Sequence, residues 1–128
     1  MIVQNASKLL TVRQDLADLV RTVAGWFPLV VLCGHRNKAD QDRAFRTKHS
    51  KVRWPDSKHN YSPSRAVDIA PVPLDWDDRE RFVLLAGAML ATARTRGLDL
   101  RWGGDWNGNL VIADEVLQDL AHFEIKGE

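Results

Sequence analysis

A carboxylate in the middle of an apolar strand constrains the fold of this chain more than any other feature. Asp68 lies in the run Ala66-Val67-Asp68-Ile69-Ala70, and this run predicts a strand over residues 65–70. Burying a lone carboxylate among apolar side chains is costly, so the group must be paired or bound to a metal. The fold must therefore bring partners to Asp68 from elsewhere in the chain.

Two histidines are candidate partners for Asp68. His59 precedes it across a polar turn, and His122 lies in a second apolar segment that predicts a strand over residues 121–125. Side chains alternate between the two faces of a strand, so Asp68 and His122 become neighbours if these strands pair. His59 can reach them through the loop. Two histidines and one aspartate occur at catalytic zinc sites, where a fourth position stays open for water.

Hydrolysis at such a site also needs a general base within hydrogen-bond reach of the attacking water. Asp119 lies three residues before His122, and Glu124 lies two residues after it. The residues alone leave both carboxylates open as the base. Arg36, in a turn after the first long strand, could stabilise an oxyanion or hold a carboxylate.

Helical and strand patterns along the chain predict an α+β fold, a small antiparallel β-sheet flanked by helices. Apolar periodicity predicts helices over residues 12–25 and 77–96, and a short helix is expected over residues 38–47. Apolar runs predict further strands over residues 29–33 and 98–102, with residues 110–112 pairing back after a turn. Thr11 and Gln14 fit a capping box, Asn37 can cap the second helix, and Asp114 can begin one helical turn.

Composition and charge are those of one ordinary domain, which we expect to span residues 1–128. The chain is 45% hydrophobic and 27% charged, with a net charge of +1. Such a charge gives no strong field, so neither nucleic acid nor a membrane is an expected partner. The single cysteine, Cys33, excludes an internal disulfide and is expected to be a buried core thiol. The N-terminus lacks the basic start and apolar run of a secretory signal.

Several short motifs resemble those of a known family. Ser57-x-His59, Ala66-x-Asp68 and Asp119-x-x-His122 together resemble the signature of the D-alanyl-D-alanine and L-alanyl-D-glutamate metallopeptidases. That signature is Ser-x-His-x-x-Gly-x-Ala-x-Asp followed by a later acid-x-x-His. Gly34-His35-Arg36 is similar to the family's Gly-aromatic-Arg turn, and Trp102-Gly103-Gly104-Asp105-Trp106 to the Trp-Gly run of its phage members.

The resemblance implies a hedgehog and D-Ala-D-Ala peptidase-like fold with a Zn²⁺ cofactor. It implies that His59, Asp68 and His122 bind the zinc. It further implies that Asp119 is the base and that Arg36 binds the substrate or the developing oxyanion.

The chain also departs from the family pattern. His59 and Asp68 are nine positions apart, a longer spacing than in the signature. Ser64 stands at the usual glycine position, and His35 replaces the usual aromatic residue. Ser57 and Trp106 are predicted substrate contacts, with loop shaping and core packing as their respective alternatives.

These features together predict a monomeric zinc peptidase that cuts the peptide stems of bacterial peptidoglycan. Small size and the lack of a signal or membrane segment fit a phage endolysin. Such a protein is made in the host cytoplasm and acts at the cell wall and periplasm after release. We therefore expect an L-alanyl-D-glutamate endopeptidase. The alternatives are a D-alanyl-D-alanine carboxypeptidase or dipeptidase, and a non-catalytic metal-containing phage structural or wall-binding protein.

Overall fold

A five-stranded sheet forms the centre of the structure, a computed structural model that describes residues 3–112 and 119–127. The strands are β1 (Val3–Gln4), β2 (Leu29–Cys33), β3 (Ala66–Pro71), β4 (Leu100–Trp102) and β5 (His122–Ile125). Their order across the sheet is β1-β2-β3-β5-β4. β1 pairs parallel with β2, and the other three pairings are antiparallel. The α+β fold with a mostly antiparallel sheet is as predicted.

Within the described residues, three α-helices accompany the sheet. They are α1 (Gln14–Ala24), α2 (Lys38–Arg46) and α3 (Arg79–Thr95), and short 3₁₀ helices span Ala6–Thr11 and Lys58–Asn60. The apolar stripes of α1 and α3 bury Leu16, Leu19, Val20, Leu85 and Met89 in one core with Val31, Val67, Ile69 and Phe123 of the sheet. No helix within the described ranges has the length and apolar character needed to cross a bilayer.

Two local predictions about helix starts had different outcomes. Asn37 caps α2 as predicted, because its side chain accepts a hydrogen bond from the Asp40 amide at 2.8 Å. The capping box of Thr11 and Gln14 was wrong, because α1 begins after Arg13 and has no side-chain cap. Thr11 instead accepts a hydrogen bond from the His35 amide at 2.9 Å, which ties the helix start to the turn after β2.

The predicted return strand at residues 110–112 was also wrong. These residues form no strand in the structure, and the short antiparallel contact after β4 joins Trp102 to Asp105. The turn therefore closes much earlier than the sequence pattern indicated. The helical turn predicted to begin at Asp114 lies outside the described residues.

The strand register places the polar residues of the sheet on the face opposite the main core. Asp68 of β3 is paired directly with His122 of β5. On its other side Asp68 is paired with Cys33 of β2, across a register shift between Val31 and Cys33. Such an irregularity re-aims a side chain. Cys33 therefore leaves the core face that Val31 occupies and is only partly buried, so the prediction of a buried core thiol was wrong.

Candidate metal centre

A cleft of about 590 Å³ opens over the polar face of the sheet. Its wall and floor include Arg36, His59, Asp68, Trp106, Asp119 and His122. These residues come from distant parts of the chain, which the strand pairing brings together. The cleft thus contains every residue to which the sequence assigned a metal or catalytic role.

Asp68 lies between the two predicted histidine partners. Its Oδ1 atom is 3.1 Å from His59 Nε2 and 3.1 Å from His122 Nδ1. His122 reaches this position through its direct pairing with Asp68 in the sheet. His59 reaches it from the 3₁₀ helix that precedes β3. The buried carboxylate therefore has the partners that its apolar surroundings require.

Local hydrogen bonds fix the position and tautomer of His59. Ser57 caps the 3₁₀ helix, accepting from the His59 amide at 3.2 Å, and Asn60 completes the capping box. The ring Nδ1 is 2.7 Å from the carbonyl oxygen of Gly34. Because that oxygen can only accept, Nδ1 carries the proton and Nε2 faces Asp68. A Cβ at Gly34 would collide with the side chain of Thr11.

The longer loop between His59 and Asp68 is closed at its base. The Arg65 amide donates to the carbonyl oxygen of Lys58 at 3.0 Å. Ser62 and Pro63 are exposed, whereas Ser64 is fully buried and donates to the carbonyl oxygen of Ala66 at 2.7 Å. The extra residues thus form an exposed loop, and His59 still lies beside Asp68.

His122 makes a second ion-pair contact on the far side of its ring. Its Nε2 is 2.7 Å from Glu124 Oε1, and the other oxygen of Glu124 accepts from Arg101 Nη2 at 2.7 Å. Arg101 and Glu124 are paired residues of β4 and β5. Sequence reasoning missed Arg101, because its role depends on the pairing of a strand whose partner was not predictable.

The charged groups of the centre shift one another's pKa values. Burial alone would lower the pKa of His59, but the charge and hydrogen bond of Asp68 raise it to about 10. Burial likewise opposes the charged form of His122, whereas hydrogen bonds to Asp68 and Glu124 raise its pKa to about 9. Burial would raise the pKa of Asp68, but the two histidines hold it far below its ordinary value. At neutral pH the metal-free centre is a carboxylate between two imidazolium rings.

Asp119 lies at the edge of the same centre and is exposed to the cleft. Its carboxylate belongs to a cluster with Asp68 and His122 in which the ligating atoms lie within 4.8 Å of one another. Partial removal from water, followed by the negative charge of Asp68, raises the pKa of Asp119 above its ordinary value. An acid of raised pKa beside a candidate metal position suits proton transfer.

Gly103 of the Trp-Gly-Gly run fixes the backbone around Asp119. The Asp119 amide donates to the Gly103 carbonyl oxygen at 2.8 Å, and the Gly103 amide donates to that of His122 at 2.8 Å. A Cβ added at Gly103 would overlap the backbone carbonyl of Asp119. Only glycine therefore allows this close approach between the turn and the segment that carries Asp119.

Arg36 is held over the cleft by a residue that the sequence did not single out. Its Nη1 donates to Gln41 Oε1 at 3.0 Å, and its Nη2 is 3.8 Å from Asp68 Oδ2. Gln41 is fully buried and also accepts from Asn60 at 3.1 Å. Gln41 is the one buried residue of helix α2, and this burial depends on how the helix packs in the folded chain.

The two predicted substrate contacts both line the cleft. Ser57 is buried, and its hydroxyl is engaged in capping the 3₁₀ helix. The Trp106 ring is partly exposed, with its centroid 5.5 Å from that of His122. Substrate contact by Ser57 and Trp106 stays a prediction.

Cys33 adds a thiol to the possible metal-binding group. Cys33, His59 and Asp68 form a second cluster, with ligating atoms within 4.8 Å of one another. Burial would raise the pKa of the Cys33 thiol, but the neighbouring His59 brings it below its ordinary value. The two clusters share Asp68, so potential ligands extend on both sides of this carboxylate, from Cys33 to His122.

Comparisons with known proteins point in one direction. The sequence model of the family described as phage L-alanyl-D-glutamate peptidase matches residues 2–126. The chain is 28% identical over 131 residues to the L-alanyl-D-glutamate peptidase of Escherichia phage T5, and the alignment covers 95% of each protein. The crystal structure of the Serratia marcescens L-Ala D-Glu endopeptidase ChiX matches with a TM-score of 0.76 and 26% identity. That match covers 94% of this chain and 84% of the other.

Proposed function

The chain belongs to the phage L-alanyl-D-glutamate peptidase family, and on that premise we propose that His59, Asp68 and His122 hold a catalytic zinc ion. The protein is then a peptidoglycan peptidase that hydrolyses the bond between L-alanine and D-glutamate. The observation that carries the proposal is the placement of Asp68 Oδ1 3.1 Å from one ring nitrogen of each histidine.

The donor set fits zinc. Two imidazole nitrogens and one carboxylate are ligands that zinc accepts, and three protein ligands leave a position free for water. A bound zinc ion would polarise the scissile carbonyl and lower the pKa of its water toward about 7. The ring nitrogen of each histidine that does not face Asp68 has a hydrogen-bond acceptor, Gly34 for His59 and Glu124 for His122.

Asp119 and Arg36 would act on the reacting groups. Asp119 removes a proton from the attacking water and delivers it to the leaving amino group of D-glutamate. Arg36 donates hydrogen bonds to the oxygen on which negative charge develops, or to a substrate carboxylate. The peptide bond breaks, and the products carry a new L-alanyl carboxyl group and a new D-glutamyl amino group.

The cleft carries positive charge that suits an acidic peptide. Lys48 and Lys51 line the same cleft as Arg36 and supply positive charge near the site of a glutamate-containing peptide. We infer that the protein acts as a monomer and reaches the wall from the host cytoplasm after release by a separate pore-forming partner. We propose that Ser57 and Trp106, which line this cleft, contact the stem peptide.

Digestion of purified peptidoglycan tests the proposal. Zinc-loaded protein should generate L-alanyl and D-glutamyl ends detectable by mass spectrometry, and chelation should abolish them until zinc is restored. Release of free D-alanine alone would favour a carboxypeptidase. A folded, zinc-binding protein that cuts nothing would favour a wall-binding or structural role.

Replacement of the proposed base makes the test specific. Asp119→Asn should lower the cleavage rate by about 10²–10⁴-fold, the usual contribution of a general base, because the amide cannot accept the proton. Zinc affinity should stay near that of the unaltered protein. Asp99→Asn, at an exposed position after α3, is the matched control and should cleave at the normal rate.

A further inference from the structure

We propose that Glu124 and Arg101 form a positioning pair that fixes the ring orientation and tautomer of His122 for metal binding. The inference rests on the proposed zinc function and deepens it. It assigns to Glu124 a role other than that of the base, and it brings in Arg101, which belongs to neither the ligand set nor the proposed catalytic groups.

The contacts of His122 assign one ring nitrogen to each neighbour. Nε2 is 2.7 Å from Glu124 Oε1, and Nδ1 is 3.1 Å from Asp68 Oδ1. A carboxylate accepts and does not donate, so each contact holds a proton on the metal-free ring, and the contact with Glu124 keeps the proton on Nε2 when a metal replaces the proton on Nδ1. The lone pair of a neutral His122 is then on Nδ1, the nitrogen that faces Asp68 and the proposed metal position.

Arg101 keeps Glu124 in the orientation that this tautomer needs. Its Nη2 donates to Glu124 Oε2 at 2.7 Å, so the two oxygens of one buried carboxylate serve two different partners. The pairing of β4 with β5 places Arg101 directly opposite Glu124. Outer partners of this kind fix the orientation of metal-binding histidines and raise their basicity.

The surroundings separate Glu124 from the attacking water. Glu124 is 6% exposed, and each of its oxygens is already hydrogen-bonded. Trp106 lies over both partners, with its ring centroid 5.5 Å from that of His122 and 5.9 Å from the Arg101 guanidinium. Asp119, in contrast, is exposed to the cleft. Glu124 therefore acts through His122, and Asp119 is the carboxylate that remains available to water.

Nitrogen NMR of the zinc-loaded, unaltered protein tests the tautomer without any substitution. The ring shifts of His122 should show a protonated Nε2 and a metal-bound Nδ1. His59 should show the opposite pattern, since its Nδ1 donates to Gly34. A metal-bound Nε2 in His122 would overturn the proposal.

Zinc affinity, measured by competition with a chelator, tests the pair. Glu124→Gln and Arg101→Met should each weaken zinc binding by about 10–100-fold, the usual cost of losing an outer partner of a metal ligand. Arg101→Lys should recover part of the affinity, because an ammonium group can still donate to Glu124. Glu80→Gln and Arg43→Met alter exposed residues of α3 and α2 and should leave zinc affinity unchanged.

The outcomes separate this inference from the proposed function. Failure of the unaltered protein to bind zinc would remove the proposed function itself. Normal zinc binding and cleavage by the unaltered protein, with Glu124→Gln and Arg101→Met matching their controls, would overturn only the positioning pair. Should one of these variants fail to fold, the NMR pattern of the unaltered protein still decides the question.

Discussion

At the scale of single residues, the two histidines of the centre present different ring nitrogens to Asp68. His59 uses Nε2 because Gly34 accepts from its Nδ1, and His122 uses Nδ1 because Glu124 accepts from its Nε2. Without metal, both rings are protonated on both nitrogens at neutral pH, because their pKa values are about 10 for His59 and about 9 for His122. The two imidazolium rings together carry the same positive charge that a bound divalent ion would supply.

This arrangement predicts that zinc binding releases protons. Ligand nitrogens must be unprotonated, so each ion bound at pH 7 should displace about two protons from His59 and His122. Zinc affinity should therefore rise with pH until it levels off above the pKa values of about 9 and about 10. Calorimetric titration in two buffers of different ionisation enthalpy gives the proton count. Release of no protons at pH 7 would contradict the assignment.

Cys33 allows a test of which residues bind the metal. The proposed ligands are His59, Asp68 and His122. Cys33→Ser should therefore change zinc affinity by less than about 10-fold, the lower end of the usual cost of losing an outer partner of a metal ligand. The cobalt-loaded protein should lack a thiolate charge-transfer band, while His59→Ala should abolish tight binding. A strong band that disappears in Cys33→Ser would instead make the thiol a ligand.

At the scale of elements, the turn after β4 determines where Asp119 lies. Gly103 exchanges backbone hydrogen bonds with Asp119 and His122, each at 2.8 Å. The candidate base and the last candidate ligand are thus positioned by one turn. The Trp-Gly-Gly run contributes to the site through its backbone, in addition to the Trp106 side chain that lines the cleft.

Gly103→Ala should therefore damage both the cleavage rate and stability. The new methyl group overlaps the Asp119 carbonyl, and we expect a loss of about 1–3 kcal/mol in the free energy of unfolding, the usual cost of overpacking. Gly87→Ala is the matched control, since nothing lies within 4 Å of an added Cβ there. That change in α3 should preserve cleavage and add roughly 0.5–1 kcal/mol of stability. Normal cleavage by Gly103→Ala would contradict the role of the turn.

The packing of elements against one another explains which parts of the fold and of the site the sequence could predict. Apolar periodicity located α1, α3, β2 and β3 to within a few residues, and side-chain alternation placed Asp68 beside His122. Gln41 and Arg101 were missed because their roles depend on which elements meet, and local pattern does not contain that information. Cys33 was misjudged for a related reason, because a register shift moved it from the core face to a position paired with Asp68.

At the scale of the whole molecule, the metal centre joins β2, β3, β5 and the loop before β3. Its charges therefore contribute to the stability of the entire fold. Between the ordinary histidine pKa of 6.5 and the folded-state values of about 10 for His59 and about 9 for His122, the folded state holds protons that the unfolded chain has lost. Unfolding then releases protons, so the stability of metal-free protein must fall as pH rises.

The stability of metal-free and zinc-loaded protein should consequently diverge in alkali. The histidine contribution is complete below pH 6.5 and is lost as pH rises through about 9 and about 10, by at most about 1.4 kcal/mol per pH unit for each group. Zinc-loaded protein has already released these protons, so its free energy of unfolding does not fall in this way. Urea unfolding between pH 6 and pH 10, with and without chelator, measures the difference. The zinc-loaded protein serves as the control for the metal-free protein, because it contains the same lysines and tyrosine. Parallel pH profiles of the two forms would show that the two histidines are not charged in the metal-free fold.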